Sequence, residues 1–174
     1  MLPDANAKRM KNPSQSAVRV VDGAYHDVMA WDSRIEPWLD RYPALRAIGN
    51  TPLVPVDLFR EQSPNVEVLA KMEYLNPGGS LKDRPVLRMV LGALADGRLQ
   101  RGKTILDSSS GNAGIAYAMV GRMIGLPVEI VIPNNASAER KKRLQAHGAR
   151  LVMTDALLGY DEALREVSRR ARGS

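Results

Sequence analysis

The stretch from residue 104 to residue 172 constrains the fold more than any other part of the chain, because three strand-length apolar runs alternate there with three helix-length segments. Residues 104–107, 127–132 and 150–153 read as strands, and residues 112–124, 137–147 and 160–172 as helices, the second closed by Gly148. The runs Val-Glu-Ile-Val-Ile and Leu-Val-Met are those of buried strands, and strands joined through helices lie parallel, with right-handed crossovers. The expected architecture is therefore α/β, a parallel sheet with helices on both faces in a three-layer, Rossmann-like arrangement. Ligands in such sheets sit at the carboxyl ends of the strands.

Upstream, Val86, Met89, Val90, Ala93 and Leu94 form one apolar helix face, which Gly97 ends. Residues 48–54 read as a turn feeding a short extended run that ends near residue 58, and residues 66–72 as a second extended run. Between residues 25 and 42, Trp31, Ile35, Trp38 and Leu39 recur at helical spacing, with Pro37 expected to split the segment. The two tryptophans are suited to docking on the main body, to a second subunit, or to packing within the core. Residues 1–16 have little to bury and are expected to form a mobile arm. The expected divisions are an arm and short helix over 1–47, a segment carrying a lysine loop over 48–85, and a small α/β domain over 86–174, incomplete at its C-terminus.

At 174 residues the chain suffices for one domain with a sound core. It contains no cysteine, which excludes thiol nucleophiles, disulfides and cysteine-based metal sites, and fits a reducing compartment. Neither His26 nor His147 has a neighbour at metal-ligand spacing, so no metal is expected. No apolar run approaches the ~20 residues of a membrane span, and residues 1–16 lack the apolar centre of a secretory signal, which points to a cytoplasmic protein. The formal charge of +6 comes largely from clusters at 140–143 and 165–172, which read as solvated helix faces because no aromatics interleave them.

Residues 76–84, Asn-Pro-Gly-Gly-Ser-Leu-Lys-Asp-Arg, place one lysine at an expected helix start after a tight loop. Ser80 and Asp83 have capping-box spacing, which puts Lys82 in the first turn; a cap at Asp83 is the alternative, and it leaves Pro85 harmlessly in that turn. The partial positive charge of a helix start disfavours an ammonium, and a lysine that is more often neutral is the better nucleophile toward an aldehyde. Taken alone, the nine residues read sooner as a helix start whose lysine faces water.

A second stretch, residues 107–114, reads Asp-Ser-Ser-Ser-Gly-Asn-Ala-Gly at the carboxyl end of the first parallel strand. The free N–H groups of a helix start, with serine hydroxyls and the Asn112 amide, suit a carboxylate. The stretch lacks both the Gly-Lys-Ser/Thr of a phosphate-cradling loop and the G-x-G-x-x-G of a dinucleotide fingerprint.

Taken in order, the segments 48–54, 76–84, 109–116 and 133–149 resemble the cysteine synthase branch of the fold type II pyridoxal-phosphate enzymes, which also holds cystathionine β-synthases, desulfhydrases and serine or threonine ammonia-lyases. The resemblance runs from about residue 48 to the end of the chain and implies the N-terminal portion of that fold. It further implies pyridoxal 5'-phosphate as cofactor, with Lys82 forming the Schiff base and then serving as the acid-base group at the substrate α-carbon. Asn112 would hydrogen-bond the cofactor's ring oxygen, and Ser109, Ser110, Gly111 and Asn112 would grip the substrate carboxylate. The implied reaction is β-replacement on a serine-derived amino acid, activated serine plus sulfide giving cysteine; β-elimination by a desulfhydrase or ammonia-lyase is the alternative. The expected partners are an amino-acid substrate and a second copy in a homodimer, with neither membrane nor nucleic acid.

Two departures qualify the resemblance. Cysteine synthases usually read Thr-Ser-Gly-Asn-Thr-Gly, whereas this chain has Ser109 and Ala113 in place of the threonines, closer to serine ammonia-lyases; the lysine loop sides with cysteine synthases. Family members are about twice as long, so the phosphate-binding loop and the hydroxyl facing the pyridine nitrogen are expected to be absent from this chain. It then reads as the N-terminal half of an enzyme, its final Gly-Ser resembling a cloning remnant, or as a short paralogue serving as an interaction module. With no cysteine in the N-terminal extension, the haem of animal cystathionine β-synthases is not expected.

Overall fold

The computed structural model describes residues 17–21, 24–28, 32–109 and 111–172. In chain order these form β1 (Ala17–Val21), β2 (Ala24–Val28), α1 (Glu36–Arg41), a 3-10 turn over Pro43–Ala47, β3 (Pro52–Val56), β4 (Val68–Lys71) and a 3-10 turn over Glu73–Leu75. Then follow α2 (Asp83–Ala95), β5 (Ile105–Asp107), α3 (Asn112–Ile124), β6 (Val128–Pro133), α4 (Ala138–Ala146), β7 (Arg150–Thr154), a 3-10 turn over Ala156–Leu158 and α5 (Gly159–Arg172).

The alternation expected from residue 104 onward is present as a parallel sheet ordered β5-β6-β7, with Ile105 opposite Val128 and Ile130 opposite Leu151. Successive residues of β6 divide between its two faces. Val128, Ile130 and Ile132 face α3 and belong to the main core, whereas Glu129 faces α5 and accepts from Arg170 at 2.7 Å. Helices thus cover both faces. The contact of α3 with β6 is close: a Cβ on Gly121 would lie 2.2 Å from Val128 Cγ2. Gly125 ends α3 in the left-handed region, at φ 75°, where a side chain would be strained.

Beyond the expected sheet lies a second one, four-stranded and antiparallel, ordered β1-β2-β3-β4. Its β2 occupies residues that the helical spacing from 25 to 42 had assigned to a helix; α1 begins only at Glu36. Pro37 sits in the first turn of α1, where no amide donor is required, so it starts the helix instead of splitting it. Ile35 and Leu39 are fully buried with Leu45, Ile48, Leu87 and Leu91, and Trp38 packs against this cluster, so for Trp38 it is packing within the core that is found. Trp31 and the arm over 1–16 lie outside the described residues.

The C-terminal basic cluster is largely paired. Arg165 meets Glu162 at 3.4 Å, Arg169 meets Glu166 at 2.7 Å, and Arg170 bridges Glu166 and Glu129. Among the described residues no helix is long and apolar enough to cross a membrane.

Candidate active site

The loop between β4 and α2 is fixed chiefly by Asn76, which is 3% exposed. Its Oδ1 accepts from Gly49 N at 2.8 Å, and its Nδ2 donates to Glu73 O at 2.9 Å, Glu73 Oε2 at 2.8 Å and Ser80 O at 3.1 Å. Gly79, at φ 81°, turns the chain so that its N–H reaches Asn76 O at 2.7 Å. The Ser80–Asp83 capping box does not form: Ser80 Oγ accepts from Lys82 N at 3.1 Å, while Asp83 Oδ2 accepts from Gly78 N at 2.5 Å. Lys82 is the residue before the helix, not part of its first turn. Helical bonding opens with Val86 N donating to Lys82 O at 3.2 Å, so Pro85 falls where the N–H would have no helical acceptor and costs nothing.

A polar network absent from the sequence expectation ties this loop to the turn before β3. Thr51 Oγ1 donates to Glu73 Oε1 at 2.7 Å and accepts from Lys71 Nζ at 2.6 Å and Arg84 NH2 at 2.9 Å. Arg84 also grips both oxygens of Glu73, Nε at 2.8 Å from Oε2 and NH2 at 2.8 Å from Oε1. The Arg84 guanidinium, aided by Thr51 and Asn76, holds the Glu73 carboxyl down at about 2. Lys71 and Arg84 are therefore committed to the network. The Lys82 side chain is exposed, with no ion pair or hydrogen bond of its amine among the described residues. The only sequence signal for this network was the order Gly-Asn-Thr before β3 and Lys-Asp-Arg after the loop, which does not reveal that Glu73 lies between them.

The serine loop leaves β5 with Ser108 buried, its Oγ donating to Tyr160 Oη at 3.1 Å. Burial pushes the Asp107 carboxyl up, and the Tyr117 phenol is raised by burial and by the charge of Asp107. Ser109 and Gly111 are half-buried and Asn112 is exposed; Ser110 lies outside the described residues. Gly111 caps α3 in an extended conformation with no side chain to offer, so the first-turn N–H groups have no side-chain cap. Gly114 must be glycine because a Cβ there would lie 1.9 Å from Ser109 O.

At the carboxyl ends of β5 and β6 opens a cleft of about 850 Å3, lined among others by Gly111, Asn112, Asn135, Arg140, Arg143 and Tyr160. Sequence reasoning had read Arg140 and Arg143 as part of a solvated helix face and had given Tyr160 no role; the structure puts all three on the cleft. On α4, Arg143 donates through NH2 to Gly78 O at 3.4 Å, and its neighbour Leu144 packs on Gly114. Two consecutive residues thereby join the lysine loop to the start of α3, bringing together the two stretches that carry Lys82 and Asn112. Lys82, on the loop that Arg143 reaches, offers an exposed amine suited to the aldehyde of pyridoxal phosphate; the cleft itself, which Lys82 does not line, offers an exposed amide and an uncapped helix start beside two arginines, a set suited to a carboxylate.

Residues 44–173 match the family described as pyridoxal-phosphate dependent enzymes. The chain is 51% identical over 126 residues to a cysteine synthase of Aquifex aeolicus, a match covering 71% of this chain and 38% of the relative. It is 38% identical over 138 residues to a cystathionine beta-synthase of Mus musculus, covering 79% of this chain and 24% of that one. Among solved structures, cysteine synthase from Entamoeba histolytica superposes with a TM-score of 0.70 at 38% identity, over 75% of this chain and 39% of that one. O-ureido-L-serine synthase does so with the same score and identity, over 75% and 40%. The chain thus spans about two fifths of the length of these structures.

Proposed function

Because the chain belongs to the family of pyridoxal-phosphate dependent enzymes, we propose that it carries the lysine-bearing part of a β-replacement enzyme, cysteine synthase-like, that acts on an activated serine and sulfide. The observation that supports this most is the state of Lys82, an exposed amine without a partner on a loop whose neighbouring cations are all engaged. Pyridoxal phosphate, when bound, supplies the electron sink for removing the α-proton and expelling the β-leaving group.

In this reading Lys82 would hold the cofactor at its aldehyde, and its amine would serve as the group that takes and returns the proton at the substrate α-carbon. Asn112 would orient the cofactor ring by its exposed amide. Ser109, Ser110 and Gly111, with the free N–H groups at the start of α3, hold the substrate carboxylate. Groups for the cofactor's phosphate fall, by the resemblance, in the share of the relatives' length that this chain does not span. The homodimer and the cytoplasmic setting belong to the same proposal, as does the division of the chain at residues 48 and 86.

Titration with pyridoxal phosphate is expected to give a visible absorbance band that Lys82→Ala abolishes; a band that survives the substitution refutes the assignment. One feature favours β-elimination as a second reading: Ala113 presents a methyl where a threonine hydroxyl is usual. Product assays with and without sulfide distinguish the two, because only replacement consumes the second substrate.

A further inference from the structure

We propose that Asp83 is the positioning residue for Lys82, its buried carboxyl closing the loop over residues 78–83 so that the amine is presented from a fixed backbone; this rests on the reading of Lys82 as the cofactor-binding amine. Asp83 is 0% exposed, and Oδ2 takes the Gly78 N–H at 2.5 Å while Oδ1 has no partner. A Cβ on Gly78 would lie 2.4 Å from Oδ1, so the two positions are fitted to each other. The two peptide groups that flank the Gly78 Cα are both held, the N–H of one by Asp83 and the carbonyl of the other by Arg143 at 3.4 Å from the cleft side.

A buried carboxyl with one unpartnered oxygen weakens a fold. Burial accordingly pushes Asp83 up against the opposing pull of the Gly78 N–H bond, the charge of Glu73 acting with burial and that of His147, at the end of α4, against it. What the carboxyl adds against this cost is the bond to Gly78, whose buried N–H an apolar side chain would leave without an acceptor. That bond spans Lys82. With Ser80 Oγ on the Lys82 N–H, it leaves the lysine backbone little freedom.

The test compares the wild-type chain with Asp83→Leu and Asp83→Asn, the asparagine keeping an acceptor for Gly78. Each is treated with pyridoxal phosphate and borohydride, and label on Lys82 is measured by mass spectrometry against Lys103 and Lys141. Amide exchange at Gly78 and Gly79 is followed alongside, with thermal melting as the control. Asp83→Leu strips the acceptor from the buried Gly78 N–H and is expected to melt lower than wild type; labelled well below that melt, where it is folded, it is expected to lose Lys82 label by about tenfold or more and to exchange faster at Gly78, because misplacement by an ångström costs reactivity steeply. Asp83→Asn is expected to restore most of both. Undiminished label and unchanged exchange in Asp83→Leu overturn the proposal, as does a loss shared equally by both variants and tracking their melting. If wild type takes no label at Lys82, the cofactor reading fails, and exchange at Gly78 alone decides whether Asp83 holds the loop.

Discussion

Replacing Glu73 by Gln is expected to remove stability at neutral pH and to leave little difference in acid. The carboxylate of Glu73 is gripped by Arg84 and takes further hydrogen bonds from Thr51 and Asn76, which hold it at about 2 against a usual 4.5. The folded state therefore keeps Glu73 charged at pH values where the unfolded chain would take up a proton. Its contribution is complete above about 4.5 and is lost as pH falls toward 2. A drop of that size corresponds to about 3 kcal/mol at most. Glu73 and Arg84 keep 19% and 18% of their side-chain surface in water, and screening brings the expected loss to roughly 1–2 kcal/mol. Urea unfolding of both proteins at pH 7 and near pH 2 measures it, with the gap expected at the first and nearly closed at the second. Asp32 and Glu166, which arginines hold near the same value, weaken both proteins alike in acid and cancel in the difference. A gap of equal size at both pH values would refute the electrostatic account and leave shape as the cause.

Two further substitutions probe the paired loops. Gly114→Ala forces a Cβ to within 1.9 Å of Ser109 O, so the serine loop or α3 must shift, at a cost of about 1–3 kcal/mol in the urea unfolding transition. Asn76→Ala strips the acceptor from Gly49 N and a donor from Ser80 O; amide exchange at Gly49 is expected to rise, with a loss of about 1–3 kcal/mol.

The parallel half was legible because its signals are local. The runs at 127–132 and 150–153 lie within one residue of β6 and β7, and Gly148 stands just beyond the end of α4. The antiparallel half was less so. Its β2 pairs with β3 through Tyr25 and Leu53, a contact across the intervening α1 that no local periodicity announces. The same limit applies to the site. Lys82 and Asn112 stand in recognisable loops, whereas Glu73 and Arg143 acquire their roles only when the fold sets them against Arg84 and Gly78. A polar residue in a 3-10 turn or on an exposed helix carries no mark of the partner it will meet.

The adjacency of Lys82 and Asp83 shows why fold and chemistry cannot be read separately here. Side by side in sequence, the two charges would be expected to neutralise each other, but neighbouring residues at a helix start point to different faces. Asp83 turns inward to Gly78 and Lys82 outward to solvent. The nearby cations are occupied as well, Lys71 and Arg84 by Thr51 and Glu73, and Arg143 by the Gly78 carbonyl. With Lys71, Arg84 and Arg143 so engaged, the Lys82 amine has no counter-ion among the described residues, which is the state that the proposed reaction with an aldehyde calls for.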